Sequence, residues 1–267
     1  MEIISFLAAP FVMCLILVGI HCYLGLHVLK RGVIFVDLSL AQVASLGSTV
    51  ALLFHLDHHS SLNYFISLGF TFVAAGYFAW AKKYEKYISQ EVLIALVYAF
   101  ASSAVLLVVN MMAHGAEHIK EILVGKILWV TWMDVLKTGV IYSIVALIHY
   151  IFRKQIIAAS MEKSDSSSFW DFVFFSLFGV VITSSVGIAG ILLVFSFLVV
   201  PALLSSNLVS SLKGQLLLGW VIGTILSFIG MTLSYVLDLP AGAIIVVVFT
   251  VLPIFVLPFI LRKKIAT

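Results

Sequence analysis

Three groups of side chains in this sequence could do chemistry, and each lies within or beside a long apolar run. The first is in residues 31–47, RGVIFVDLSLAQVASLG, where Asp37 and Gln42 interrupt an otherwise greasy stretch. A carboxylate at membrane depth costs about 2.5–3.5 kcal/mol on insertion scales, so Asp37 must face protein or a wet cavity. At about 100° per residue, Asp37 and Gln42 stand some 140° apart on a helix and do not form one tight ligand pair. Asp37 therefore reads either as part of an ion pathway or as a polar packing node, with Arg31 a candidate partner. The small residues Ser39, Ala41, Ala44, Ser45, Gly47 and Ser48 argue for close helix packing around it.

The second group is His55-Leu-Asp57-His58-His59. Imidazoles and a carboxylate at this density suit zinc or another borderline divalent ion. They suit a solvated loop equally well. The third is His114-Gly-Ala-Glu117-His118, which matches the H-x-x-E-H spacing of a zinc peptidase family, with two histidines as ligands and the glutamate as base. The motif is short and caps an apolar segment, so a solvated loop or a second metal-attracting patch competes with the hydrolase reading.

The elements that must position these groups follow from composition. The chain has 267 residues, 63% hydrophobic and 10% charged, with a mean hydropathy of +1.22. A soluble domain carries about 25% charged residues, so a water-soluble globule is excluded. The net charge of +3 is no argument for nucleic acid. Cys14 and Cys22 lack metal or disulfide spacing and read as buried small hydrophobes. The first apolar run reaches Leu29 without a basic leader, too long for a signal-peptide core of about 7–15 residues.

Polar breaks divide the chain into nine apolar segments, near residues 6–29, 33–56, 62–80, 90–113, 127–152, 169–186, 188–204, 215–237 and 243–261. Of the 15 Lys and Arg, only Lys120, Lys126 and Lys137 lie away from the breaks after odd-numbered segments. Alternating spans gather all the other basic residues on one side, which the positive-inside rule makes cytoplasmic. The N-terminus is then outside and the C-terminus inside. TSSVGIAG, between segments six and seven, is either an outer turn or a break within one span; the latter gives eight spans. Trp129 and Trp132 read as interfacial anchors, His21 and His27 as core polar nodes, and Glu91 as a charge at the start of its own helix.

Residues 187–220, GIAGILLVFSFLVVPALLSSNLVSSLKGQLLLGW, hold an apolar span to Pro201 and then a serine-rich stretch on the inner side. A short cytoplasmic helix there would let a soluble engine push on the membrane domain; a plain connecting loop is the alternative. LDLPAG, residues 237–242, reads as a tight outer turn.

Four stretches in order resemble the permease subunits of metal-type ABC importers, the zinc/manganese/iron family. RGVIFVDLSLAQVASLG is similar to the family's R-x-x-x-x-x-D-x-x-x-H-A-x-x-x-G segment. QEVLIALVYAF, IKEILVGKILWVTWMDV, and GILLVFSFLVVPALLSS with SYVLDLPAG resemble its other motifs. The resemblance covers residues 20 to 260. It implies an all-α integral membrane protein, one permease domain over 1–267, built as a type II ABC importer-like bundle. It further implies a homodimer around one central pathway, ATP-binding-cassette ATPase subunits as separate chains, and an extracytoplasmic metal-binding protein, all at a bacterial cytoplasmic membrane. The cargo would be a divalent metal ion, with no permanently bound cofactor and no enzymatic activity of its own; the sequence carries no G-x-x-x-x-G-K-[ST] pattern. Asp37 and Gln42 would line the metal pathway. His55, Asp57, His58, His59, His114 and His118 would attract metal at its mouth. Pro201, Ala202, Ser205, Ser206, Asn207, Ser210, Ser211 and Lys213 would form the coupling stretch. The family places Asp and His four apart on one helix face; here Gln42 stands for the histidine, five residues after Asp37, and an amide is a far poorer transition-metal ligand. An intramembrane zinc hydrolase and a permease for a larger metal chelate are the competing readings.

Overall fold

A computed structural model describes residues 2–57, 60–112, 115–161 and 168–265. Eleven α-helices occur among them: α1 (Glu2–Arg31), α2 (Val36–Leu53), α3 (Ser61–Ala81), α4 (Gln90–Val109), α5 (Gly115–Val124), α6 (Trp132–Ile151), α7 (Arg153–Met161), α8 (Ser168–Ala189), α9 (Ile191–Leu208), α10 (Leu212–Leu237) and α11 (Ala241–Ile265). All but α5 and α7 are long and apolar enough to cross a membrane, which gives nine spans among the described residues. A bilayer offers no water to unpaired backbone groups, so an apolar chain of this kind folds as helices.

The nine apolar segments of the sequence map one to one onto these spans. The division between α8 and α9 is a one-residue outer turn at Gly190, with φ +77. A side chain added there would collide with the backbone of Gly125 and Val124, so glycine is required for both conformation and space. The other boundaries shift for local reasons. The span expected from residue 127 begins at Trp132, because Ile127–Trp129 form a 3-10 turn and Thr131 caps the helix. Asp134 N–H donates to Thr131 Oγ1 (3.3 Å), while Asp134 Oδ2 accepts from Thr131 N–H (3.0 Å), a reciprocal capping box. LDLPAG is the tight turn expected, closed by Asp238 in the left-handed region and a Ser234 Oγ–H bond to Leu239 O (2.7 Å).

Two expectations change. No separate helix follows Pro201: α9 runs through it to Leu208, and only residues 209–211 separate α9 from α10. Conversely, α5 and α7 are helices that the sequence reading treated as breaks.

Helix α2 is the most enclosed span, packed against α3, α4 and α8. Helices α1, α9, α10 and α11 form a second packed group. At the inner, basic end, a buried ionic node joins four helices. Arg31 Nη1 donates to Asp171 Oδ1 (2.7 Å) and Arg31 Nε to Ser160 Oγ (3.0 Å), tying α1 to α8 and α7. Lys82 Nζ, just after α3, reaches Asp171 as well (3.0 Å) and donates to Ala159 O (3.3 Å). The guanidinium lies over the Phe174 ring at 4.1 Å. The partner of Arg31 is therefore Asp171, not Asp37. Glu91 also departs from its expected role: Oε1 accepts from Phe35 N–H (2.9 Å), so it holds the start of α2 from α4.

Removing one partner of a buried ion pair leaves an uncompensated charge, at a cost of about 3–5 kcal/mol. Asp171→Asn should therefore lower the thermal stability of the detergent-solubilised protein strongly. Lys82→Met should lower it far less, because Lys82 is 22% exposed whereas the Asp171 side chain is 1% exposed. Equal melting temperatures for wild type and Asp171→Asn would remove the node from the account.

Candidate functional site

Asp37 sits in the first turn of α2 and is fully buried. Neither carboxylate oxygen has a hydrogen-bond partner among the described residues. The contrast with Asp171 is direct, since Asp171 accepts from two cations at the same end of the bundle. The hydroxyls of Ser39 and Ser45, also on α2, are buried and unpartnered too.

A cavity of ≈ 480 Å³ opens in the outer half of the bundle, between α2, α3, α5, α6 and α8. Ala44, Ser45 and Ser48 form its α2 wall. At about 100° per residue, Ala44 and Ser48 lie within about 20° of Asp37 around the helix axis, and Ser45 about 80° away. The cavity thus stands above Asp37 on one face of α2, separated from it by about 10–16 Å of helix rise. Gln42 lies about 140° round and is not part of the wall. Its place in a pathway with Asp37 has no support from this cavity.

Helix α3 supplies a polar stripe at four-residue spacing: Asn63, Ser67 and Thr71, all buried. Asn63 and Ser67 line the cavity, and Thr71 Oγ1 meets Thr183 Oγ1 of α8 at 3.3 Å on its floor. This stripe is legible in SLNYFISLGFT as polar residues recurring every four positions, a signal weaker than the charges and histidines because each member is a small neutral side chain.

Helix α5 roofs the cavity through His118, Glu121 and Ile122. Thr49 Oγ1–H donates to Ser45 O (2.7 Å), so the 3.2 Å contact between His118 Nε2 and Thr49 Oγ1 requires the imidazole N–H to donate. His118 is thereby fastened to α2. The far end of α5 is pinned by Lys126 N–H donating to Ile188 O (2.9 Å) and by close approach of Gly125, Gly190 and Gly242.

The sequence-derived outer patch is not assembled as one site. His55 and Asp57 are exposed in the loop after α2, whereas His118 is buried under the roof; His58, His59 and His114 lie outside the described residues. Glu117 is exposed while its neighbour His118 points inward. No group of three His, Cys, Asp or Glu close enough to hold a metal exists among the described residues, a set that does not include His114; of the two described members of the H-x-x-E-H motif, His118 turns inward onto Thr49 and Glu117 faces outward. His21 and His27 are core nodes as expected, bonded to Ser185 Oγ (3.2 Å) and Ser160 Oγ (3.0 Å). Both cysteines are buried and free.

At the inner end, the serine-rich stretch is a hard turn. Pro201, Ala202 and Ser205 are buried within α9. Ser206 Oγ–H and Asn207 Nδ2–H both donate to Leu203 O (3.0 and 2.9 Å), Ser211 Oγ accepts from Gly214 N–H (3.2 Å), and Gln215 Nε2–H donates to Val209 O (2.8 Å). Ser210, Ser211 and Lys213 are exposed at the tip.

This arrangement, nine spans among the described residues with a partly polar cavity between four of them and a buried carboxylate below, is that of a membrane transport chain. Residues 4–261 match the ABC 3 transport family, and the chain belongs to that family. It is similar to a probable iron transport system membrane protein of Haemophilus influenzae, at 23% identity over 92% of this chain and 86% of the relative. It is similar also to the manganese transport system membrane protein MntC of Listeria innocua, at 25% identity over 78% and 76%. Among solved structures, PsaBC from Streptococcus pneumoniae in complex with Fab shares the fold, with TM-score 0.75 and 19% identity over 92% of this chain and 88% of that one. An inward-facing putative metal-chelate type ABC transporter matches with TM-score 0.66 and 15% identity, over 95% and 85%.

Thr49→Val should release α5 from α2. One hydrogen bond contributes about 0.5–1.5 kcal/mol, so amide exchange in α5 should quicken by up to about tenfold while exchange in α9 is unchanged. Unaltered exchange in α5 would show that the Thr49–His118 contact does not hold the roof.

Proposed function

We propose that this chain is the membrane-spanning permease subunit of an ABC importer for divalent metal ions, zinc, manganese or iron. The observation that carries the reading is Asp37: a carboxylate with no hydrogen-bond or ionic partner among the described residues, buried at the base of an α2 face whose outer half lines a cavity that also bears Ser67 and Asn63. Retaining such a group is costly unless it has a transient partner, and intramembrane carboxylates mark ion pathways. A divalent cation supplies the missing charge. The printed functions of the Haemophilus and Listeria relatives, iron and manganese transport, support the same cargo.

The ion enters from the outer cavity, delivered by an extracytoplasmic metal-binding protein. It passes Asp37 and leaves at the inner end by alternating access. ATP is hydrolysed on separate ATPase subunits. Two copies of the chain form the permease, and the turn carrying Ser210, Ser211 and Lys213 seats on the ATPase. That turn suits force transmission because its backbone and side-chain bonds lock α9 to α10, so a push on the tip moves both spans. No resident cofactor is needed.

The test is uptake into vesicles containing the chain with its cognate ATPase. Asp37→Asn should reduce ATP-dependent uptake of at least one of Zn²⁺, Mn²⁺ or Fe²⁺ by about tenfold or more, the scale of a lost charged ligand. Unchanged uptake of every ion would take Asp37 out of the pathway. Wild-type vesicles that move none of them would overturn the cargo itself.

A further inference from the structure

We infer that the cavity beneath α5 holds a divalent cation with its water shell intact, as an antechamber above Asp37. The inference rests on the permease reading and assigns it a second site, distinct from the carboxylate.

The lining is chemically unsuited to gripping a bare ion. Glu121 is paired with Lys126 at 2.8 Å, and Asp134 Oδ2 is engaged by Thr131. His118 donates its Nε2 proton to Thr49. No three-ligand group exists among the described residues. Lys126 and Lys137 balance Glu121 and Asp134 on the wall, so there is no strong net field to trap a charge.

The same lining is well suited to water bound on a cation. Such water turns its hydrogens outward and needs acceptors. Ser67 Oγ–H donates to Asn63 O (3.0 Å), and Ser184 Oγ–H is directed at the carbonyls of Val180 and Val181 (3.0 and 2.9 Å). With their protons committed to their own helices, these hydroxyls offer lone pairs. Ser45 Oγ and Asn63 Nδ2 are buried in the wall without any partner. An unmet buried polar group is destabilising; Ser45 Oγ can accept from cation-bound water, and the Asn63 amide, whose Nδ2 is a donor, can do so only with Oδ1 turned inward about its last torsion. Size agrees. Six waters occupy about 180 Å³ at about 30 Å³ each, which fits within ≈ 480 Å³, whereas a bare ion would touch one wall at most.

Position supplies the remaining argument. Ala41, buried, lies between Ala44 on the cavity wall and Asp37 on the same face of α2. A small side chain at this point is the least obstacle on α2 to an ion that has shed water. The antechamber would then hold the hydrated ion weakly by hydrogen bonds, and Asp37 would take it after dehydration.

The probe is manganous ion, added to the full chain with its ATPase in phosphatidylcholine vesicles. The Asp37→Asn protein, with the deep carboxylate removed, should still enhance water-proton relaxation by Mn²⁺, the signature of a bound ion that keeps exchangeable water. Its pulsed EPR spectrum should lack imidazole nitrogen coupling. Ser48→Leu and Asn63→Leu, each added separately to Asp37→Asn to fill part of the chamber and replace a polar wall group by an apolar one, should abolish the enhancement. In otherwise wild-type protein each should raise the KM for uptake by about tenfold with kcat little changed. No enhancement in Asp37→Asn, nitrogen coupling from a histidine, or an enhancement surviving in both filled variants would overturn the antechamber. If wild-type vesicles move no divalent ion, the permease reading fails; if they do and both filled variants keep the wild-type KM, only the antechamber fails.

Discussion

A charge taken out of water must meet another charge, and the bundle is organised around that demand. Arg31, at the end of α1, is buried with a side-chain exposure of 4%. Asp171 answers it from α8, Ser160 from α7 and the Phe174 ring from below, while Lys82 adds a second cation to the same carboxylate. Four segments far apart in sequence meet at one point for this reason. An isolated buried pair adds little net stability, but one that cannot lose a partner fixes which helices are neighbours. The inner end of the bundle is therefore rigid, and the aromatic packing of Phe174, Phe175 and Phe178 extends that rigidity into the core.

The same demand is left unmet at Asp37, the observation on which the proposed ion pathway rests. Asp37 lies toward the same end of the bundle as this ionic node, yet its oxygens have no partner among the described residues. One carboxylate is structural because the fold completes it; the other is available because the fold does not. The small residues of α2 permit this. Gly47 packs directly on the α3 backbone at Ser67, and Ala41 is the small residue on the α2 face between the cavity wall at Ala44 and the carboxylate. Close packing shields Asp37 from the membrane and leaves the outer cavity as the polar approach along its own helix.

Much of this was legible in the residues. Long apolar runs and the one-sided distribution of Lys and Arg gave all nine spans, because membrane insertion acts on each segment almost independently. Asp37 stood out as a charge in an apolar run. The pairing of Arg31 was not legible: Asp171 sits at the entrance of an apolar segment, where an acid is unremarkable, and only tertiary contact reveals its partner. Helices α5 and α7 were hidden because both are short and flanked by polar residues, so hydropathy alone reads them as breaks. The His-rich motifs misled in the opposite direction. Spacing brings His118 next to Glu117, but successive residues on a helix point about 100° apart, and His118 turns inward to Thr49. The expected coupling helix failed for a related reason: Pro201 sits inside α9, which carries it to Leu208, and the turn is closed by Ser211 and Gln215.

The central claim is that Asp37 binds the transported ion directly. Infrared difference spectroscopy of the protein in lipid, with and without a divalent metal ion, observes carboxyl groups themselves. The account predicts a metal-induced change in the carboxyl region that is present in wild type and absent in Asp37→Asn. Identical metal-induced spectra from the two proteins would contradict it.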